Sequence, residues 1–545
     1  MKKLFLSLFL SSLVLSPNVL LLQPVTAWLH TKSRWIVGED NIRVKLTCVN
    51  WPSHLEPLVP EGLNKQPVDG IVQRIASMGF NCVRLTWPLY MVVNESYSTI
   101  TVQQMFQSLN LHDALAGIAE KNPSLVHLSI LSAYKEVVNR LGKYKVMVIL
   151  DNHITKPGWC CSRNDGNGFF NDPYFDPDVW IKGLTRMATL FNNVPAVVGM
   201  SLRNELRGNR QNVNDWYNYM QKGANAVNAA NPNVLVILSG LNSDNDLAFL
   251  GGKKPVVSFQ DKLVFELHWY SFSDGPAWTY NSNKACAITT RDKMKRGGGF
   301  LLQQGFPLFV SEFGVAQTGV NVGDNKYFSC FFSIAADLDW DWAIWTLGGS
   351  YYLREGIVNH GEIYSMLDEN YDQPRNLSLK NKITSGLQYI FQDPGAGPVN
   401  YLVMYHPSTG LCVLEQSETQ TLKLGPCDKS QAWDYTTEKT LLLNGLGQPA
   451  NPETSLCLQA DVLGQPAKLG RNCTETTSKW EKISDSGMHL SINGAVCLDI
   501  DSSNTIITNT CKCLTDNTCD PSSQWFKLVT SSRSPNDSLP HRHQT

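Results

Sequence analysis

Charge is scarce in this chain. Of 545 residues 17 % are charged, and 46 Lys and Arg against 48 Asp and Glu leave a formal net charge of −2. No global field therefore draws it to nucleic acid or to an anionic membrane, and a neutral polymer suits the balance better. Several signatures are missing too. There is no HExxH, no GxGxxG follows any early strand-like run, and Gly348-Gly349-Ser350 is not a GxSxG elbow, because position 352 is tyrosine. These absences argue against a zinc hydrolase, a dinucleotide-dependent enzyme and a serine hydrolase. No metal and no cofactor is expected: His153 and His268 lack ligand partners at short spacing, and the neighbouring Cys160 and Cys161 read better as disulfide candidates. Beyond the N-terminus no apolar run could span a bilayer. A hydrophobic content of 43 % excludes a disordered chain, and the length makes two or three domains the expectation.

The N-terminus speaks for the compartment. Met1-Lys2-Lys3, the apolar run Leu4 to Leu15 and the small residues around Val25-Thr26-Ala27 make residues 1–27 a secretory signal peptide, with Pro17 and Asn18 interrupting the run a membrane anchor would need. A secreted, extracellular protein free of the membrane after cleavage follows. All 14 cysteines lie beyond that point, so disulfides are expected. Asn94, Asn376, Asn472 and Asn536 head N-x-S/T triplets that permit glycosylation.

Two regions differ in rhythm. Eight short apolar, β-branched runs recur at 43–51, 81–87, 145–153, 196–205, 233–240, 262–270, 306–314 and 340–349. Near-continuous apolarity indicates strands covered on both faces, as in a parallel sheet. Segments such as 68–79 and 180–193 carry apolar residues at helical spacing and read as crossover helices. Eight such units predict an α/β protein built on a (β/α)8 TIM barrel over residues 28–394, with its chemistry at the C-terminal strand ends. A doubly wound open sheet is the alternative.

From about Gly395 helical periodicity vanishes, and a Cys-Cys-Trp unit occurs three times: Cys412, Cys427, Trp433; Cys457, Cys473, Trp480; Cys497, Cys511, Trp525. Asp393-Pro394-Gly395 and its neighbours form a turn-prone linker. Residues 395–530 resemble the ricin-type β-trefoil lectins, an all-β domain, with residues 531–545 left as a tail. The resemblance implies a Trp of each unit in the core at the threefold axis and a disulfide within each unit, closing loops of about 15 residues that contribute roughly 3 kcal/mol each. Cys513 and Cys519 are left over and can pair with one another. It also makes Asp499, two places after Cys497, the candidate sugar-binding residue, with a turn role equally open. Connectivity among Cys48, Cys82, Cys160, Cys161, Cys286 and Cys330 stays open, and Cys48 and Cys82 read equally well as buried thiols.

Two barrel runs end in glutamates, Glu205 in Arg203-Asn204-Glu205 and Glu312 in Ser311-Glu312-Phe313-Gly314. Glycoside hydrolysis needs one carboxylic acid to protonate the leaving oxygen and a second carboxylate across the anomeric carbon, about 5–5.5 Å away in retaining enzymes. Other run ends carry Arg84, His153, His268, Tyr270 and Trp345. This set resembles glycoside hydrolase family 5, the cellulase and mannanase family, over about residues 34–392. The resemblance implies Glu205 as acid/base and Glu312 as nucleophile. It implies Asn204 on the sugar 2-hydroxyl, Tyr270 and Arg84 on Glu312, His153 and His268 on substrate or carboxylates, and Trp345 stacked on the sugar. Leu206 stands where the family usually has proline. The pairing of such a barrel with a trefoil resembles a group of secreted plant proteins, which would place the chain in the cell wall or apoplast. The expected function is a secreted, monomeric, retaining endo-β-glycosidase acting on β-1,4-glucan or mannan, bound to its polysaccharide partner through the trefoil. The alternatives are an inactive carbohydrate-binding or defence protein, and a transglycosylase on the same scaffold.

Overall fold

The computed structural model describes residues 28–395, 400–416, 421–444, 455–516 and 519–532, so the expected signal peptide and the tail from 533 onward lie outside the described residues. Eight strands, β1 (Thr47–Trp51), β2 (Cys82–Pro88), β3 (Met147–Ile154), β4 (Val197–Ser201), β5 (Leu235–Leu238), β6 (Leu263–His268), β7 (Leu308–Phe313) and β8 (Asp341–Ile344), form a closed parallel barrel in sequence order, β8 closing on β1. Every residue of these strands is buried, which is why each reads as an unbroken apolar run.

Helices α1 (Val68–Ser77), α2 (Ile130–Lys143), α3 (Pro177–Leu190), α4 (Val213–Ala230), α5 (Ser282–Lys295) and α6 (Val322–Asp337) cover the outside. The first buries Val68, Ile71, Val72 and Ile75, one face at helical spacing. At the start of α3, Asp176 accepts the N–H groups of Asp178 and Val179 while Pro177 occupies the first turn, where its missing donor costs nothing. One expected unit differs: between β5 and β6 the described crossover carries only a 3₁₀ turn, Ala248–Gly251.

The barrel interior is layered. Its floor is apolar, with Cys48, Cys82, Ile149, Leu235, Ile237 and Phe309 among its residues. Above it the inward positions turn polar: Asn50, Arg84, Asp151, Ser201 and Glu266 are all fully buried. Cys48 and Cys82 are not thiols; they form a disulfide, because parallel pairing of β1 with β2 sets them at the same register. Hydrophobic patterning sees only that both are buried.

The C-terminal region contributes twelve described strands, from Tyr401–His406 to Lys527–Ser531, in sheets of eight and four. Disulfides join Cys412 to Cys427, Cys457 to Cys473, Cys497 to Cys511 and Cys513 to Cys519. Trp433 and Trp480 fill an apolar core with Leu458, Leu490 and Leu498. Trp525 departs from the expectation of a shared role. It packs into the cluster continuous with the barrel, and its Nε1–H donates to Asn283 Oδ1 of α5 at 2.9 Å. Asn283 also accepts from Ser486 Oγ at 2.7 Å and donates to the Cys513 carbonyl at 2.9 Å. One buried amide thus fastens the two regions at three points.

Candidate active site

The polar upper layer organises around Arg84 on β2. Its Nη1 donates to Glu312 Oε1 at 2.8 Å and Asn50 Oδ1 at 2.9 Å; its Nη2 donates to Asn204 Oδ1 at 2.9 Å and lies 3.0 Å from Asp151 Oδ1. Burial opposes the charge, but Asp151, Glu266 and Glu312 outweigh it and hold the guanidinium protonated more firmly than a free arginine.

Glu312 reaches the interior through a register shift. Alternation from the inward Phe309 would turn Glu312 outward. Between Leu267↔Val310 and His268↔Glu312 the β6–β7 pairing skips Ser311, which aims Glu312 across the barrel. There Tyr270 Oη donates to Glu312 Oε2 at 3.0 Å and His268 Nδ1 lies 3.6 Å from the same atom. Burial pushes the Glu312 carboxyl up, with His268 and Arg84 pulling it back.

Glu205 follows β4 in a left-handed backbone conformation, φ 45°. A non-glycine residue there costs about 1–3 kcal/mol, which its surroundings must offset. The Arg207 Nη1 donates to the Glu205 carbonyl at 2.9 Å, and the Glu205 N–H donates to Asp244 Oδ2 at 2.9 Å. Its Oε1 sits 3.0 Å from His268 Nδ1, and a Glu205 oxygen, a His268 nitrogen and a Glu312 oxygen all lie within 4.8 Å of one another. Burial, with Asp151 and Asp165 adding to it, raises the Glu205 carboxyl to about 7 against the pull of Arg207 and Arg84.

His153 Nδ1 meets Asp151 Oδ2 at 2.6 Å, and the Asn204 amide faces His153 Nε2 at 3.5 Å. Trp345 stacks on His153 with ring centroids 5.5 Å apart at 17°. All of Glu205, Glu312, His153, Asn204, Tyr270 and Trp345 line one cavity of about 510 Å³; Arg84 and His268 stand directly behind it. The cavity wall includes the hairpin of β9 (Ser350–Arg354) and β10 (Ile357–Gly361). From it Arg354 lies 3.4 Å over the Trp159 ring and donates to Glu362 Oε2 at 3.2 Å, an oxygen that also accepts from Tyr351 Oη at 2.7 Å. A disulfide between the adjacent Cys160 and Cys161 lines the cavity beside the Asn204 amide, which removes those cysteines as metal ligands. The remaining barrel pair is Cys286 with Cys330.

Asp151, Glu266, Asp244 and His54 were not singled out from sequence. Asp151 and Glu266 stand two places before His153 and His268, so strand alternation puts each acid on the inner face with its histidine, a signal present in LDNH and FELH. Ser201 Oγ donates to Glu266 Oε1. His54, fully buried, stacks 4.0 Å from His153 and bonds Thr86 Oγ1 at 2.8 Å. Trp159 joins Trp345 at the cavity, whereas Trp269 and Trp278 are buried and donate to Asp274 Oδ2.

Asp499, the candidate sugar-binding residue, lies among donors of its own region. It is 2 % exposed, and its Oδ2 accepts from Gln524 Nε2 at 3.0 Å and Asn509 Nδ2 at 3.4 Å. Burial pushes the carboxyl up, but hydrogen bonds from Ser523, Gln524 and the Ile500 N–H outweigh it and hold it below the usual range. The carboxylate is thus engaged by donors of its own region.

Known proteins are similar to this chain. The sequence model of the family described as Cellulase (glycosyl hydrolase family 5) matches residues 53–350. A glycosyl hydrolase 5 family protein of Chamaecyparis obtusa is 42 % identical over 529 residues, 93 % of each chain. An endoglucanase of Paenibacillus polymyxa is 24 % identical over 329 residues, 56 % of this chain and 75 % of that protein. The catalytic domain of the major endoglucanase from Xanthomonas campestris superposes with a TM-score of 0.52 at 20 % identity, covering 64 % of this chain and 96 % of that domain. An endocellulase of Pyrococcus horikoshii, whose structure is a complex with cellotetraose, gives 0.51 at 19 % over 65 % of this chain and 96 % of that one. The two bacterial and archaeal structures share the barrel fold. With more than half of its length matched by the family model and a full-length relative at 42 % identity, the chain belongs to glycosyl hydrolase family 5 and is a glycoside hydrolase.

Proposed function

We propose that the protein is a secreted endo-β-glycosidase that cleaves a β-1,4-linked glucan or mannan with retention of configuration. The observation that carries this is the pair Glu205 and Glu312: two carboxyls with oxygens within 4.8 Å, in unlike surroundings. That spacing leaves no room for the interposed water of an inverting enzyme. Glu312, clasped by Arg84 and Tyr270, attacks the anomeric carbon as a carboxylate. The bond to the leaving oxygen breaks as Glu205, held near 7 by burial, gives that oxygen its proton. Water then attacks the glycosyl ester of Glu312 while Glu205 takes up the water proton. Asn204, oriented by Arg84, bonds the sugar 2-hydroxyl; His153 is fixed by Asp151, and Trp345 offers its ring to the sugar face.

A glucan is favoured because relatives of this chain are named as endoglucanases and a similar fold holds cellotetraose. Secretion is supported by the N-terminal segment and by the seven disulfides among the described residues. Three intra-repeat disulfides and twelve strands support a trefoil for the C-terminal region, which would hold the barrel to polysaccharide by groups other than Asp499. The test is incubation with β-glucans, mannan and xylan, with the anomeric form of the first products followed by NMR. A β product from a β-glycan is expected. Inversion, or no cleavage of any glycan, overturns the reading.

A further inference from the structure

The segment behind Glu205 never touches the cavity, yet its backbone is the least relaxed in the barrel. Asn242, Ser243 and Asp244 are three successive non-glycine residues in the left-handed region, φ 56°, 53° and 56°. L-residues visit that region singly, so a run of three must be held from outside. Local bonds hold part of it, from the Asn242 N–H to Gln211 Oε1 at 2.7 Å and from Asn245 Nδ2 to the Ser243 carbonyl at 2.8 Å, and three further contacts lead to the site. The Ser243 N–H donates to the Leu206 carbonyl at 2.9 Å, the Glu205 N–H donates to Asp244 Oδ2 at 2.9 Å, and the His268 N–H donates to the Asp244 carbonyl at 3.0 Å. Asp244 is fully buried. Its Oδ2 also lies 3.5 Å from His268 Nε2, and neither Nε2 nor the Asp244 Oδ1 has another hydrogen-bond partner. The other face of the same imidazole, Nδ1, addresses Glu205 Oε1 and Glu312 Oε2 at 3.0 and 3.6 Å. A buried carboxyl with an orphaned oxygen beside an orphaned ring nitrogen calls for a role.

We infer that Asp244 is the positioning residue of the acid/base, fixing Glu205 through its backbone N–H and through the orientation of His268. The inference rests on the reading of Glu205 as acid/base. Leu206 lacks the fixed φ of the proline that usually follows this glutamate in the resembling family, so the turn at Glu205 is held by hydrogen bonds alone, Arg207 Nη1 on the Glu205 carbonyl being one of them. Asp244 and Ser243, in the loop after β5, supply the rest: Asp244 Oδ2 accepts the Glu205 N–H and the Ser243 N–H donates to the Leu206 carbonyl. The imidazole, its backbone N–H bonded to the Asp244 carbonyl and its Nε2 facing Asp244 Oδ2 at 3.5 Å, then presents Nδ1 to the Glu205 carboxyl in one orientation.

The test compares kcat/KM on two glycosides of one sugar, an unactivated oligosaccharide and a 2,4-dinitrophenyl β-glycoside, in the full-length protein. Cleavage of the first needs a proton from Glu205; the dinitrophenolate leaves without one. In Asp244→Ala the oligosaccharide value is expected to fall on the order of tenfold to a hundredfold further than the dinitrophenyl value, the effect of displacing a reacting group by a fraction of an ångström to one ångström. Asp244→Asn keeps an acceptor for the Glu205 N–H and is expected to recover most of that loss. Equal losses on both substrates, or no loss, overturn the inference, because a merely structural residue lowers both together. Where Asp244→Ala does not fold, Asp244→Asn decides: it keeps one link and loses the other, so a smaller gap of the same sign is required and its absence overturns the inference. Glu205→Ala calibrates the pair: if it shows no gap, the acid/base reading has failed, whereas a gap in Glu205→Ala without one at Asp244 sinks the positioning role alone.

Discussion

The barrel top and the C-terminal region both bury acids, and they treat them in opposite ways. In the barrel, Glu205, Glu312, Asp244, Asp151 and Glu266 share one dry layer, and burial raises every one of them. In the C-terminal region Asp499 is enclosed by donors that lower it. An acid held above its ordinary range keeps its proton ready to give; an acid held below it is a fixed hydrogen-bond acceptor. Burial alone therefore does not fix how a carboxyl behaves; the donors and charges around it decide in which direction it moves.

This contrast breaks most visibly by truncation. Glu312→Ala is expected to reduce glycan turnover by on the order of 10⁶-fold, the scale seen on losing a nucleophile, and Glu205→Ala by about 10²–10⁴-fold. Both are read by product release, with circular dichroism showing an intact fold. Asp499→Asn should leave turnover unchanged; an Asp499 variant as inactive as either glutamate variant would erase the distinction.

The pH dependence sharpens it. Turnover of unactivated glycan needs Glu205 protonated, so it should fall as pH rises through about 7, and the acid limb, set by ionisation of Glu312, should lie above the 4.5 of an ordinary glutamate. The same raised pKa means that Glu205 contributes stability below its unfolded value that is lost as pH rises through about 7. Glu205→Gln should accordingly gain melting temperature relative to the parent as pH rises from 4.5 to about 7 and keep that gain above it, with little change in the difference below 4.5.

A smaller effect concerns the seam. Asn283→Ala removes three hydrogen bonds and leaves Trp525 Nε1 unpaired, which should destabilise by about 1–3 kcal/mol in chemical denaturation with kcat unchanged, since the residue lies on α5 away from the cavity. The smallest effect is at Asp499 itself. Its lowered pKa gives stability present above 3.8 and lost as pH falls through its folded value, so the stability gap between the parent and Asp499→Asn should narrow in denaturation curves taken at decreasing pH.

Most of the barrel was legible in the sequence because strands buried on both faces leave unbroken apolar runs, and Glu205, His153, His268 and Trp345 stand at the ends of such runs. What was not legible depends on backbone geometry that residue types do not encode. Strict alternation places Glu312 on the wrong face, and only the skipped Ser311 corrects it. Asp244 sits in a loop whose left-handed run carries no glycine to announce it. In the C-terminal region the Cys-Cys-Trp spacing was readable, but its third copy faces a neighbour: Trp525 answers to Asn283, a residue 242 positions away. The repeat predicts three equal units, and the contact with the barrel makes them unequal.

The disulfide on the barrel floor has a bearing on how the protein must be made. Cys48 and Cys82 are both fully enclosed, beneath the polar layer and above nothing but apolar side chains. Once β8 has closed on β1, neither oxidant nor thiol reagent can reach them. Their bond therefore has to form while the barrel is still open, before β8 pairs with β1. Reduced chains whose barrel has already closed would therefore keep Cys48 and Cys82 as thiols on exposure to oxidant, and alkylation under denaturing conditions would label both.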